Sequence, residues 1–277
     1  MFKVLVIAYY FPPLGLSGVQ RTTKFVKYFP KYNWQSTVIT TDSIGYYATD
    51  ESLLKEIDLE NTKIIRVKGK EVNARLSKNE NIKMPPEFIR KFLSRLSSIF
   101  FIPDNKVSWC KFAYPVIKDL LNNEHFDLIF VSAPPFSTVN LAVQLKKEFN
   151  LPLVIDYRDL WFGYHFAFYP TPFHKSIIKK MERIDLTAAD KITVTNRRIK
   201  EKILEYYPFL SFNDIVIIPH GFDPEDFEKA REEKKETKKM LITYSGIFYE
   251  NITPKYFFQA FKKLLNEYPA VASDIEL

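Results

Sequence analysis

The strongest constraint on this chain is an alternation of short apolar runs with segments of helical periodicity. The runs lie at 2–8, 36–41, 63–67, 127–132, 152–156, 191–195 and 215–219, and most are rich in Val, Ile, Leu or Phe. Between them, 18–29, 107–122, 136–149, 174–189 and 196–207 space their apolar residues as helices do. Strands without a polar face, joined by amphipathic helices, predict a parallel sheet covered on both sides. The expected fold class is therefore α/β, with a doubly wound parallel sheet.

Two segments break this rhythm. Residues 225–239 are charged almost throughout and read as a linker. The βα pattern then restarts with a strand over 240–245, Gly246 and a helix over 254–268, and 273–277 opens a further strand. One βα unit leaves its apolar faces uncovered. The expected organisation is thus a domain over 1–224, a linker over 225–239, and the first unit of an incomplete second domain over 240–277.

The other break follows Pro85-Pro86. Phe88, Phe92, Leu96 and Ile99 share one helical face, while Arg90, Lys91 and Arg95 lie toward the other. A basic amphipathic helix suits an anionic membrane surface, with Phe88, Arg90, Lys91, Phe92 and Arg95 as contacts. It suits equally an outer helix lying on the domain, and both readings stand.

Composition removes several classes. The hydrophobic fraction is 46% and charged residues make up 26%, the profile of a globular domain. Cys110 is the single cysteine, which excludes a disulfide framework and points to a reducing, cytoplasmic setting. The N-terminal apolar run is too short for a secretory signal, and no stretch reaches the ~18 apolar residues of a membrane span. Net charge is +7, and 68–95 carries eight Lys or Arg against three Glu. Nucleic-acid binding would need a recognition motif beside that charge, and none is present.

Three loops carry the candidate chemistry. The first strand empties into Tyr9-Tyr10-Phe11-Pro12-Pro13-Leu14-Gly15-Leu16-Ser17-Gly18, then Val19-Gln20-Arg21. A glycine-bearing loop that opens a helix is where α/β sheets hold anions, through free N–H groups and the helix dipole. Gly15 and Gly18 are spaced G-x-x-G, so the dinucleotide fingerprint is absent. The plain alternative is that these glycines only turn the chain. The second cluster, Asp156-Tyr157-Arg158-Asp159-Leu160-Trp161, follows a strand and runs on to His165. Two carboxylates flanking a guanidinium suit a polyol, and the aromatic residues suit stacking on a sugar or lipid. A charge-neutralising network and a packed loop are the alternatives. The third is His220-Gly221-Phe222-Asp223, where Gly221 is expected to allow a tight turn. No His or Cys cluster has metal-ligand spacing.

In order and spacing these segments resemble the retaining glycosyltransferases of family four, which have the GT-B fold of two facing Rossmann-like domains. The carrying residues are 9–13 with Gly15 and Gly18-Val19-Gln20-Arg21, Pro103-Asp104 with Trp109, and Ser132-Ala133-Pro134-Pro135. They continue with 156–161, Ala189-Asp190-Lys191-Ile192, Gly221-Phe222-Asp223, and the restart from Thr243 to Tyr249. The resemblance implies an N-terminal acceptor-side domain and the start of a donor-binding domain. It implies transfer of a sugar from a nucleotide-sugar, a co-substrate with no other cofactor and no metal, to a cell-surface glycan or lipid-linked acceptor. The Gly15, Ser17, Gly18 and Arg21 loop is then expected to face the donor diphosphate. Asp156, Arg158, Asp159, Trp161, His165, His220, Gly221 and Asp223 are expected at the acceptor cleft, and Gly246 and Phe248 in the donor-domain loop. The implied setting is the cytoplasmic face of the plasma membrane, with a separate C-terminal half as a further partner. His220 stands where Asn commonly precedes the Gly-x-Asp turn. Glu225 and Glu233 have the spacing of the family's donor-binding glutamates by chance, since they fall in the linker. A non-catalytic acceptor- or lipid-binding module derived from such an enzyme is the alternative.

Overall fold

The computed structural model describes residues 1–42, 48–69, 86–228, 239–246, 248 and 253–277. It divides into two compact units, Met1–Gly221 and Phe222–Leu277.

The first unit is built on seven strands: β1 (Phe2–Ile7), β2 (Trp34–Thr41), β3 (Thr62–Val67), β4 (Leu128–Ala133), β5 (Leu153–Tyr157), β6 (Lys191–Val194) and β7 (Ile215–Ile217). Their order is β3-β2-β1-β4-β5-β6-β7, and every pairing is parallel. The helices are α1 (Ser17–Tyr28), the single turn α2 (Ser52–Lys55), α3 (Glu87–Phe100), α4 (Val107–Asn123), α5 (Ser137–Phe149), α6 (Pro172–Ala188) and α7 (Arg197–Tyr206).

Both faces of the sheet are covered because both sets of strand side chains are apolar. Val4, Val6, Val38 and Phe130 bury one face with Val26 of α1 and Ile57. Leu5, Ile7, Ile39, Ile129, Val131 and Ile155 bury the other with Ile117 of α4, Val139 and Leu145 of α5, Leu186 of α6 and Ile203 of α7. Since α1 lies on one face and α5 on the other, the chain changes direction between β1 and β4. Ligands of open α/β sheets bind in the crevice at such a switch point.

Local chemistry starts several helices. Thr171 accepts a hydrogen bond from the His174 N–H and Pro172 occupies the first turn of α6. Asn196 accepts from the Ile199 N–H at α7. Asp104 takes both the N–H and the hydroxyl of Ser137, at 2.9 and 2.7 Å, and so fixes the start of α5 from a distant loop.

Gly163 has φ +78°, and a Cβ there would lie 2.6 Å from the Tyr206 ring. Gly163→Ala is expected to cost about 1–2 kcal/mol for the backbone alone. At about 2–4 °C per kcal/mol for a unit of this size, thermal melting should shift by several degrees. An unchanged melting temperature would contradict the close approach of this loop to α7.

The second unit contains α8 (Glu225–Glu228), β8 (Met240–Leu241), α9 (Lys255–Glu267) and β9 (Ile275–Glu276), with β8 parallel to β9. Three expectations change here. The segment expected as linker begins with helix α8, because Asp223 accepts from the Glu225 N–H and starts a turn. Its remainder, 229–238 with Glu233, lies outside the described residues. The strand expected over 240–245 pairs only at Met240 and Leu241. The sequence also placed the first boundary after 224, whereas the units divide after Gly221.

Candidate functional site

The loops at the carboxyl ends of β1, β4, β5 and β6 meet around Arg158. Its guanidinium donates to the carbonyls of Gly18 at the start of α1 and Pro134 after β4, and its Nε donates to the Ala133 carbonyl at 3.3 Å. Its backbone N–H also reaches Ala133 O at 3.0 Å, and its own carbonyl accepts from Thr195 Oγ1 at 3.1 Å. The planar fork ties the loops after β1 and β4 to the loop after β5, and the backbone carbonyl of Arg158 adds the loop after β6. Burial pushes the Arg158 pKa down from the ordinary arginine value, with the Asp156 and Asp159 carboxylates opposing it. The sequence offered Arg158 as a polyol ligand; in the fold each of its three guanidinium nitrogens donates to a backbone carbonyl.

Beneath this knot lies a buried ion pair. Arg21 Nη2 and Nε reach Asp156 Oδ1 and Oδ2 at 2.8 and 2.9 Å, and the two residues are 9% and 0% exposed. Asp156 accepts two more bonds, from Ser132 Oγ at 2.8 Å and Thr193 Oγ1 at 2.6 Å. Arg21 donates two further hydrogens, from Nη2 and Nη1, to the carbonyls of Ile218 and Pro219 at 2.8 and 3.2 Å. Expectation and structure differ for both residues. Arg21 does not open onto an anion site and Asp156 does not line a cleft. Each is the other's counter-charge, because an unpaired charge in this interior would be prohibitively costly. The charge network anticipated around Asp156 exists, with Arg21 rather than Arg158 as its closest cation.

Trp161 is also interior. It is 6% exposed and stacks on Phe136 with centroids 4.5 Å apart, the packed-loop alternative rather than an open acceptor platform. His165 is exposed and leans on Phe166 at 3.8 Å.

What remains open at the sheet's carboxyl edge is compact. Leu16, Ser17 and Asp159 are exposed and Gly18 is half-buried. Leu16 has φ 71° and ψ 165°, a region that side chains other than glycine's avoid, and it opens α1 without a side-chain cap. Gly15 is buried against Ala48, whose carbonyl oxygen a Cβ would meet at 3.2 Å; a Cβ on Gly18 would find only Arg158 at 3.5 Å. His220 is exposed just past the carbonyls held by Arg21. Partial loss of solvent, then the Arg21 charge, push its pKa below the ordinary histidine value, so its imidazole is neutral at pH 7. Gly221 has open space where a Cβ would stand, so no crowding there calls for glycine.

In the second unit Asp223 starts α8 as described, and Phe248 stacks on Tyr244 at 4.6 Å near Gly246.

Sequence reasoning missed a buried acid pair on α6. Glu182 accepts from the Phe162 N–H at 3.0 Å and the Tyr207 hydroxyl at 2.6 Å; Asp185 accepts from Asn140 Nδ2 at 2.6 Å. Burial raises both carboxyls to about 7. The available signal was their place at helical spacing between Ile178 and Leu186, on the apolar stripe of the helix.

The model of Glycosyltransferase Family 4 matches residues 77–226. No curated protein matches the chain by sequence. Among solved structures, sucrose-phosphate synthase from Thermosynechococcus elongatus is similar with a TM-score of 0.56 at 10% identity, over 100% of this chain and 70% of the synthase. Anabaena HepE in complex with UDP-glucose gives 0.41 at 14% identity, over 84% of this chain and 49% of HepE. The lipopolysaccharide outer core galactosyltransferase WaaB in its apo form gives 0.41 at 16% identity, over 80% of this chain and 46% of WaaB. The chain therefore spans about half the length of the latter two. A seven-stranded doubly wound sheet with its loops gathered at the switch point agrees with the family match, which covers more than half the chain. The chain belongs to Glycosyltransferase Family 4.

Proposed function

We propose that this chain supplies the acceptor-side domain for transfer of a sugar, with retention of configuration, from a nucleotide-sugar to a cell-surface glycan or lipid-linked acceptor in the cytoplasm. The observation that carries this reading is the Arg158 knot at the switch point of a family-four sheet. It fixes the glycine loop, the strained Leu16 and the start of α1 relative to the loops after β4 and β5. Such a site works by holding reactants in place and by directing N–H groups and the helix dipole toward developing negative charge. The reading needs no metal and no cofactor beyond the nucleotide-sugar. Neutral His220 and exposed Asp159 are the side chains at this edge able to exchange a proton with a sugar hydroxyl.

The test is a donor panel of UDP- and GDP-sugars with membrane lipid extract as acceptor, comparing the chain with Arg158→Lys. A lysine keeps the charge but cannot span several carbonyls in one plane. Transfer by the variant is expected to fall roughly a hundredfold, the cost of displacing reacting groups by about 1 Å. Equal transfer by wild type and variant would remove Arg158 from its positioning role. The non-catalytic alternative predicts acceptor binding without transfer in both.

A further inference from the structure

α3 lies on the outside of its unit, and little of the protein covers it. Every described side chain from Phe88 to Leu96 is exposed; Phe88, Phe92 and Phe100 are 73%, 65% and 73% exposed. An outer helix packed on the domain through its apolar face does not account for this exposure. At 100° per residue, Phe88, Ile89, Phe92, Leu93, Leu96, Ile99 and Phe100 fall within an arc of roughly 140°. Arg90, Lys91 and Arg95 lie outside that arc. A contiguous apolar face of this extent is a contact surface for something other than water.

The C-terminal end of α3 is anchored. His174 Nε2 lies 3.3 Å from the Ile99 carbonyl, and the Arg95 guanidinium sits 5.2 Å from the Phe168 ring centroid. Between α3 and the loop that follows β5 is a pocket of about 180 Å³, lined by Phe101, Ile102, Trp161, Tyr164, Phe168 and Ile178 among others. An apolar cavity of about 150 Å³ accommodates a benzene-sized group. The pocket thus has room for a short length of hydrocarbon, and aromatic and aliphatic side chains make up most of its lining.

We propose that α3 and the pocket at its C-terminal end form a docking face for an anionic bilayer, with the pocket taking part of one lipid hydrocarbon chain. Charge selects this occupant. Arg90, Lys91 and Arg95 border the apolar face on α3 itself. A second copy pairing through the same face would set these cations against one another. Phe168, 44% exposed and in contact with Arg95, adds apolar surface beside the helix. No described helix is long and apolar enough to cross a membrane, so the contact is interfacial.

The experiment uses the full chain with vesicles of phosphatidylglycerol and phosphatidylcholine, read by flotation and by quenching of tryptophan emission with brominated acyl chains. The chain is expected to float with anionic vesicles and to be quenched, with the quenching lost in Trp161→Phe while flotation persists. Replacing Arg90, Lys91 and Arg95 together by Gln is expected to lower vesicle partition on the order of a hundredfold, at about fivefold per cation. Circular dichroism verifies that this triple variant is folded. Equal flotation with pure phosphatidylcholine, or a triple variant that floats as well as wild type, overturns the docking face. Flotation without quenching at Trp161 overturns the pocket's role. Self-association that displaces vesicle binding assigns the face to a second copy instead. None of these readouts depends on sugar transfer, so this proposal and the transfer reading fail separately.

Discussion

Asp156→Ala is expected to destabilise the first unit by about 3–5 kcal/mol, the usual cost of removing one member of a buried ion pair. The variant would strand the Arg21 guanidinium, which is 9% exposed, without its carboxylate. It would also take the acceptor from Ser132 and Thr193, so three elements lose a shared partner. Urea melts give the size of the loss. The discriminating variant is the double replacement Arg21→Met with Asp156→Leu, because a well-packed apolar pair in place of a buried ion pair is often neutral or stabilising. The double variant is expected to recover most of the stability while losing the anchor on the Ile218 and Pro219 carbonyls and therefore the placement of His220. A single variant within about 1 kcal/mol of wild type would show that the pair is not the tie described here.

The second large effect is a dependence of stability on pH. Glu182 and Asp185 have ordinary values of 4.5 and 3.8 and are raised to about 7 in the folded protein, chiefly by burial. The folded state therefore holds protons that the unfolded chain has released. Their contribution to stability is fully present below about pH 4, declines as pH rises toward 7, and is gone above it. For Glu182 alone the change amounts to about 3 kcal/mol at 1.36 kcal/mol per pH unit. The groups facing the pair are Tyr157, Tyr207, Asn140 and the Phe162 N–H, with Lys147 as the cation acting on Asp185. Glu182→Gln keeps one oxygen for both the Phe162 N–H and the Tyr207 hydroxyl, which share Oε2, and has nothing to deprotonate. Relative to wild type it is expected to be more stable at pH 8 by about 2–3 kcal/mol and similar at pH 5. If the difference between the two proteins is the same at both pH values, the carboxyl is not protonated in the native state.

The architecture was legible because it rests on local patterns. Runs such as Val4-Leu5-Val6-Ile7 and Ile129-Phe130-Val131 are apolar on both sides, which only a doubly covered parallel sheet satisfies. The position of the glycine loop at the end of β1 followed from the same reading. The partnerships were not legible, since they join distant parts of the chain: Arg21 meets Asp156 across 135 positions and Arg158 meets Gly18 across 140. A nearest-neighbour reading set Arg158 against Asp156, and the family resemblance turned Arg21 toward the donor diphosphate. Trp161 illustrates another limit, since an indole beside a sheet edge suits stacking on ligand and stacking on Phe136 equally well until the fold brings Phe136 to it. Leu16 carried no signal at all, because its positive φ comes from a loop closed by the Gly15 N–H on Ala48 O rather than from its own type. Conversely, the amphipathic pattern of α3 was visible, while the exposure of its apolar face required coordinates.

The most direct test of the transfer account is mass spectrometry of membrane lipids and glycans after incubation with the folded chain and a panel of nucleotide-sugars. The account predicts an acceptor extended by one sugar, matching release of nucleoside diphosphate, and an anomeric configuration the same as in the donor. Acceptor that binds the chain but gains no sugar from any donor would contradict it and leave the binding-module reading in its place.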